Sequence, residues 1–164
     1  IREYLSSNIH NSTYMPRIMI KNQKVDEELM PLFYKEADCF ILPSRGEAFN
    51  LPSLEAMASG VPPIISDFGG QTDFINEENG WLIPINNLKH LSERLCKINA
   101  AFTNLWFAEP EIHEVRKLMR FVYENRNILK EKGKVAREQV LKNWTWKNAA
   151  RKAEKRLNNI WEKL

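Results

Sequence analysis

Apolar positions in the first half of the chain form short blocks that alternate with stretches of helical spacing. Residues 17–21, RIMIK, are few enough and rich enough in branched side chains to predict a strand. Asp26 then suits the N-cap of a helix. Glu27 and Glu28 stand at its positive end, and Leu29, Leu32, Phe33 and Ala37 recur near helical spacing. Pro31 falls late in the first turn, so the start of this helix is expected to be irregular. CFIL at 39–42 is a continuous apolar run ending at Pro43, the pattern of a strand covered on both faces of a parallel sheet. A helix is predicted over 52–59, with Pro52 at its first position and Gly60 and Pro62 stopping it. PIIS at 63–66 reads as the next strand, a Gly-Gly loop follows at 69–70, and the apolar run at 81–83 is one more strand. From residue 87 onward the pattern is helical, over about 87–100, 111–131, 134–142 and 147–163.

Strands alternating with helices predict an α/β fold: a Rossmann-like, doubly wound parallel sheet with right-handed crossovers and additional C-terminal helices. The 164 residues suffice for one domain with a core of its own. A composition of 43% hydrophobic and 27% charged residues is ordinary for a globular chain. No run approaches the roughly 20 apolar residues that a membrane helix needs. Cys39 and Cys96 give no disulfide framework; they read as small core residues and suit a reducing, cytoplasmic compartment. His10, His90 and His113 are isolated and lack metal-ligand spacing. The opening Ile-Arg-Glu, without an initiator Met, is expected to belong to a fragment of a longer protein.

Charge changes this picture in one place. Residues 130–164 carry eleven Lys/Arg against four Asp/Glu, a balance of +7, whereas the rest of the chain balances at −4. Such a basic end suits a solvated helix face or an anionic surface such as a membrane. Nucleic acid is disfavoured, because aromatic residues are not interleaved with the cations as stacking platforms.

The chemistry concentrates in residues 43–60, PSRGEAFNLPSLEAMASG, which run from the carboxyl end of a strand into a helix. Open α/β sheets bind ligands at that edge, and a helix amino terminus is a ready anion site. A diphosphate there could accept hydrogen bonds from the backbone of Phe49, Asn50 and Leu51. Glu47 and Glu55 are eight residues apart, one before the helix and one a turn into it, and could grip different ends of an elongated ligand. Carboxylates suit vicinal hydroxyls because each accepts several hydrogen bonds. A capping acid and a surface acid are the plainer reading of the same pair.

The segment EAFNLPSLEAMASGVPPIIS resembles the glutamate–seven residues–glutamate signature of the retaining glycosyltransferases of GT-B fold, and within them the group 1 family (family 4), whose common form is E-G-F-G-L-P-x-L-E-A-M-A-x-G-x-P-V-I. ADCFILPS, SDFGGQTDFI, NGWLIP and NWTWKNAARK are similar to further stretches of that family. The chain departs from the pattern at Asn50 (usually Gly), Pro63 (usually Val) and Asp73 (usually Glu). Asn tolerates left-handed backbone, Pro63 only removes an N–H at a strand start, and Asp73 is one methylene short of the usual contact.

The resemblance implies the donor-binding lobe of an enzyme that moves a hexosyl group from a nucleotide-diphosphate sugar to a saccharide or lipid-linked acceptor. Glu47 is then the catalytic-site acid beside the donor sugar, and Glu55 binds the ribose. Ser44, Gly46, Phe49, Asn50 and Leu51 line the donor, and Lys24 and Val25 pack near the base, although Lys24 reads equally as a solvated side chain. No metal or further cofactor is implied. The family's Arg and Lys on the leaving diphosphate have no counterpart in residues 1–35, so they and the acceptor lobe are expected outside this chain. A non-catalytic nucleotide-sugar-binding or assembly module of the same fold is the alternative. Peripheral contact at the inner face of a membrane, through the basic C-terminal helices, is compatible with a lipid-linked acceptor. Phe49 reads also as a plug beneath the loop, and Trp144 and Trp146 as packing anchors for the last helix.

Overall fold

A computed structural model describes residues 17–91, 97 and 105–163. Three strands, β1 (Phe40–Leu42), β2 (Pro63–Ser66) and β3 (Trp81–Ile83), form a parallel sheet in the order β1-β2-β3. Their register aligns Ile41 with Ile64 and Trp81, and Leu42 with Ile65 and Leu82. Because side chains alternate across a sheet, these two rows point to opposite faces. Helices cover both faces, and one of them contributes to each. Leu42, Ile65 and Leu82 pack with Leu54 and Met57 of α2 (Leu51–Ala58) and with Ala136 and Val140 of α4 (Arg126–Asn143). Ile41, Ile64, Trp81 and Ile83 pack with Val115, Leu118 and Val122 of α3 (Ile112–Glu124) and with Leu129 of α4. The fold is the Rossmann-like α/β arrangement predicted from the alternation of elements, with C-terminal helices added.

The strands at 63–66 and 81–83 fall where the apolar runs place them, and the run at 39–42 becomes β1. α2 begins at Leu51, with Pro52 in its first turn and Gly60 beyond its end at φ +83°. The helix after Asp26 starts irregularly, as Pro31 requires: a 3₁₀ turn over Glu27–Leu29 leads into α1 (Met30–Lys35), and the Asp26 side chain makes no cap hydrogen bond.

Three expectations of secondary structure fail. Residues 17–21 form no strand; Ile18 and Met19 are exposed, and no ladder of backbone hydrogen bonds holds the segment among the described residues. Residues 88–90, assigned to a helix over 87–100, form β4 (Leu88–His90), which pairs antiparallel with β5 (Trp106–Ala108). Cross-strand pairing overrides the helical spacing there; residues 92–96 and 98–100 lie outside the described residues. The helices expected over 111–131 and 134–142 instead divide at Asn125, whose φ of −120° and ψ of 51° leave the helical region and whose side chain donates to the Phe121 carbonyl at 2.7 Å. α4 then runs unbroken through Gly133.

Gly133 stays inside a helix because α4 packs there on the turn that ends α2. A Cβ on Gly133 would lie well inside contact distance of the Gly60 carbonyl oxygen and within 3.4 Å of Pro62. The helix tolerates a poor helix former in exchange for close backbone approach. The last helix, α5 (Trp146–Trp161), is capped by Thr145, whose hydroxyl accepts from the Asn148 N–H at 3.3 Å, and buries none of its residues. Trp146 is 84% exposed and so is no packing anchor; only Trp144 serves that purpose. Cys39 is half-buried, its thiol donates to the Pro62 carbonyl, and burial foremost pushes its pKa up to about 12, which leaves it an inert core thiol. Cys96 lies outside the described residues. Among the described residues no helix is long and apolar enough to cross a membrane.

In an exposed helix, Gly→Ala stabilises by about 0.5–1 kcal/mol. At this contact the sign reverses. Gly133→Ala is expected to destabilise the protein by about 1–3 kcal/mol through overpacking, measured by urea unfolding. Unchanged or increased stability would show that α4 and the turn at Gly60 do not meet through bare backbone.

Candidate donor site

Two loops meet at the carboxyl edge of the sheet: residues 43–50 after β1, and residues 67–70 after β2. They touch backbone to backbone. The Gly70 N–H donates to the Glu47 carbonyl at 3.3 Å. A Cβ on Gly69 would stand 2.5 Å from the Glu47 carbonyl oxygen, and one on Gly70 would overlap the Ala48 carbonyl. Gly69 also has a φ of +92°, which L side chains rarely adopt. The Gly-Gly pair is thus what lets the second loop lie directly on the segment that carries Glu47.

Asn50 closes the first loop. It is the one described non-glycine residue with positive φ (φ 64°, ψ 61°), and it caps α2 by accepting the Ser53 N–H on its side-chain oxygen at 3.2 Å. Its amide N–H group donates to Gln71 Oε1. Gln71 Nε2 in turn donates to the carbonyls of Ser66, at 2.6 Å, and Phe68, at 3.1 Å. Asn50 and Gln71 are both buried, and all of these bonds but the one to Phe68 are made away from water. Ser66 Oγ adds a bond to the Ser44 carbonyl at 2.6 Å. Gln71 and Ser66 escaped the sequence reading as site residues, although the Gly-Gly-Gln run that carries Gln71 was itself a signal.

The amino end of α2 faces this junction. Among the described residues, the N–H groups of Phe49, Asn50 and Leu51 donate to no acceptor in the chain. Unpaired N–H groups at a helix start, aligned with its positive dipole, favour an anion. Leu51 is half exposed. Phe49 is 37% exposed, and its ring packs against Phe74 at 5.4 Å and Trp144 at 6.0 Å between centroids. Its side chain therefore plugs the loop while its N–H stays free. Gly46 is open, with nothing within 4 Å of where a Cβ would stand. Ser44 Oγ is buried without a hydrogen-bond partner, as is Ser53 Oγ in the first turn of α2.

The two acids differ in surroundings. Glu47 is half-buried, and its carboxylate has no protein partner among the described residues. Glu55 is exposed on the second turn of α2, where Tyr34 Oη of α1 donates to its Oε2 at 3.0 Å. Burial, then the hydrogen bond and charge of Glu55, push the Tyr34 phenol up to about 12, so it remains a donor at physiological pH. Tyr34 had no motif to mark it.

The β4–β5 ribbon fastens to the same loop. Ala108 N–H donates to the Arg45 carbonyl at 2.8 Å, the Arg45 guanidinium donates to Glu109 at 2.8 Å, and it lies 5.3 Å from the Phe107 ring centroid. Lys89 joins Glu109 at 3.3 Å. The Arg45 hydrogen bond, with a further one from Lys89, holds the Glu109 carboxyl below its usual range against the opposing effect of burial. Lys24 is exposed and Val25 half-buried, and among the described residues no hydrogen bond or ion pair links either to residues 43–55. Asp73 is exposed at the end of a 3₁₀ turn over Gly70–Asp73. A groove of about 900 Å³ lined by Asp38, His113, Arg116, Arg120, Tyr123 and Arg126 lies beside α3, and none of the candidate donor-site residues lines it.

The sequence model of the family described as "Glycosyl transferases group 1" matches residues 16–100, more than half of the chain, and spans all of these loops. The chain belongs to the group 1 glycosyl transferases. Among curated proteins, this group 1 chain is 40% identical over 63 residues to the lipopolysaccharide core biosynthesis mannosyltransferase of Rhizobium meliloti, an alignment covering 37% of the chain and 18% of the relative. It is 31% identical over 109 residues to an uncharacterized glycosyltransferase of Methanocaldococcus jannaschii, covering 65% of the chain and 27% of the relative. The chain thus spans 18% and 27% of these relatives' lengths. Among solved structures it is similar to a sucrose-phosphate synthase from Thermosynechococcus elongatus, with a TM-score of 0.64 and 24% identity over 86% of the chain and 30% of the other. That likeness establishes the fold, one Rossmann-like lobe of a GT-B glycosyltransferase.

Asn50 carries a conformation, a cap and a link between loops, and its variants separate them. Asn50→Gly keeps the left-handed backbone but leaves Gln71 Oε1 unpaired, and is expected to lose about 1–2 kcal/mol of stability. Asn50→Val should lose a further ~1–2 kcal/mol, because a β-branched residue is strained at φ 64°. Thermal melts and urea titrations test this order; equal stability of the Gly and Val variants would show that residue 50 imposes no backbone constraint.

Proposed function

We propose that this chain is the donor-binding lobe of a retaining hexosyltransferase and holds a nucleotide-diphosphate sugar at the amino end of α2. The observation that carries the reading is the set of three unpaired N–H groups, on Phe49, Asn50 and Leu51, set between Glu47 and Glu55 on a cross-braced loop. In it the diphosphate sits on the backbone amides, Glu55 accepts from the ribose hydroxyls, and Glu47 faces the transferred sugar. Ser44 and Gly46 line the same pocket, and no metal is assigned a role.

The transfer breaks the bond from the anomeric carbon to the phosphate oxygen and forms one to the acceptor hydroxyl on the same face. The hydroxyl proton passes to the departing phosphate oxygen, so no protein nucleophile is needed. The lobe contributes positioning and stabilisation of the leaving charge. The acceptor, a saccharide or a lipid-linked saccharide, binds to a second lobe outside this chain. A non-catalytic sugar-nucleotide module would keep the same fold. The unencumbered Glu47 carboxylate favours the enzyme, since a loop kept only for structure has no use for a half-buried acid without a partner.

One feature favours peripheral membrane contact in addition. Along α5, Trp146, Ala150, Ala153, Leu157, Ile160 and Trp161 fall on one exposed stripe, and Lys147, Arg151, Lys155 and Arg156 lie around the rest of the helix. Basic amphipathic helices with Trp at their ends suit an anionic interface. Co-sedimentation of the full-length protein with vesicles containing anionic lipid should be strong and should fall when Trp146 and Trp161 are both replaced by Ser. Equal recovery with neutral and anionic vesicles would remove membrane contact from the reading.

The two acids make the central test. In the full-length protein Glu55→Ala should weaken nucleoside-diphosphate affinity about 10- to 100-fold, because hydrogen bonds to a charged group are worth roughly 1.5–3 kcal/mol. Glu47→Ala should reduce turnover and leave that affinity largely intact. Calorimetric titration beside initial-rate kinetics distinguishes them, and identical defects in both variants would overturn the assignment of roles.

A further inference from the structure

We propose that Tyr34 is a positioning residue for ligand binding: its hydroxyl holds one oxygen of Glu55 so that the carboxylate is presented, in a single orientation, to the ribose hydroxyls. The inference rests on the donor-site reading above and adds to it a residue from an element outside the motif. Glu55 by itself is poorly placed to be selective. It is exposed on a helix surface, where a three-torsion side chain samples several rotamers and loses that freedom on binding a ligand. The Tyr34 hydroxyl, 3.0 Å from Oε2, removes much of that freedom beforehand.

Tyr34 can serve as a fixed point because the core holds it. The residue is 8% exposed, clusters with Ala56 and Val61, and meets the Phe40 ring edge-on, with centroids 5.9 Å apart and planes at 70°. Phe40 opens β1 and Ala56 follows Glu55 directly in α2, so the phenol is anchored to the strand and helix that flank the motif. A donor on a carboxylate makes one of the stronger hydrogen bonds available to a side chain. It leaves Oε1 and a lone pair of Oε2 for the ligand, since a carboxylate has about four acceptor positions. Preorganisation of this kind raises affinity without a direct contact. It predicts that Tyr34 matters only for ligands that engage Glu55.

The test uses the full-length protein with UDP, GDP and ADP and the 2′,3′-dideoxy counterpart of each, titrated calorimetrically. Tyr34→Phe keeps the packed ring and removes only the hydroxyl. It is expected to weaken the ribonucleotide that binds best by roughly three- to tenfold and to leave its dideoxy counterpart unchanged. Combined with Glu55→Ala, it should weaken ribonucleotide binding no further than Glu55→Ala alone. Equal weakening of ribo and dideoxy ligands, or no weakening of either, overturns the proposal and leaves Tyr34 a structural tie between α1 and α2. So does an additive double variant. If Glu55→Ala itself binds both ligand types as well as the wild type, the ribose role of Glu55 falls, and the proposal with it; if only Tyr34→Phe is silent, the donor-site reading stands and the proposal alone fails. Thermal melts of each variant separate loss of affinity from loss of fold.

Discussion

The close approach of the two loops at the carboxyl edge of the sheet is the constraint from which the rest of the site follows. Carbonyls at Glu47 and Ala48 lie where side chains on Gly69 and Gly70 would otherwise stand, and the Asn50 amide reaches across to Gln71. Because Asn50 and Gln71 are buried, separating the loops would leave several polar groups without partners, at about 1–3 kcal/mol each. The seam therefore holds the left-handed turn at Asn50, and that turn sends the chain into α2 with its first amides unpaired. A helix start with unpaired amides and a loop bearing Glu47 are consequences of one packing arrangement.

The C-terminal helices brace this seam from behind. α4 meets the turn after α2 at Gly133 and Gly60, where bare backbone permits the approach, and Arg137 donates to the Ala58 carbonyl at the end of α2. At the end of α4, Trp144 meets Phe74 and Phe49, so a residue nearly a hundred positions away packs against the side chain whose N–H faces the site. Lys152 of α5 lies over the same Trp144 ring. The ribbon of β4 and β5 grips the loop from the other side through Arg45, Phe107 and Glu109. These exposed ion pairs contribute little stability, and their effect is to limit where the loop can go. A site on a loop gains from rigidity supplied by elements packed around it.

Much of this was legible in the chain itself. Continuous apolar runs at 39–42, 63–66 and 81–83 mark parallel strands because both faces of such strands are covered. Pro52 and Gly60 mark the limits of α2 because their backbone preferences are local. Asn50 in place of the usual Gly pointed to a left-handed turn for the same reason, and its φ of 64° bears this out. Local stereochemistry and burial periodicity thus determined the sheet, the helix that starts the site and the backbone shape of the loop before any contact was known. What only the tertiary structure decided depends on residues distant in sequence. The helical pattern at 88–90 yields to pairing with 106–108, Gly133 remains helical because Gly60 lies against it, and Trp146 is exposed although its neighbour Trp144 packs. Tyr34 and Gln71 enter the site only because folding carries them to Glu55 and Asn50, each 21 positions away. Composition and spacing register what a residue prefers by itself, whereas a partner across the fold is chosen by the packing of the whole.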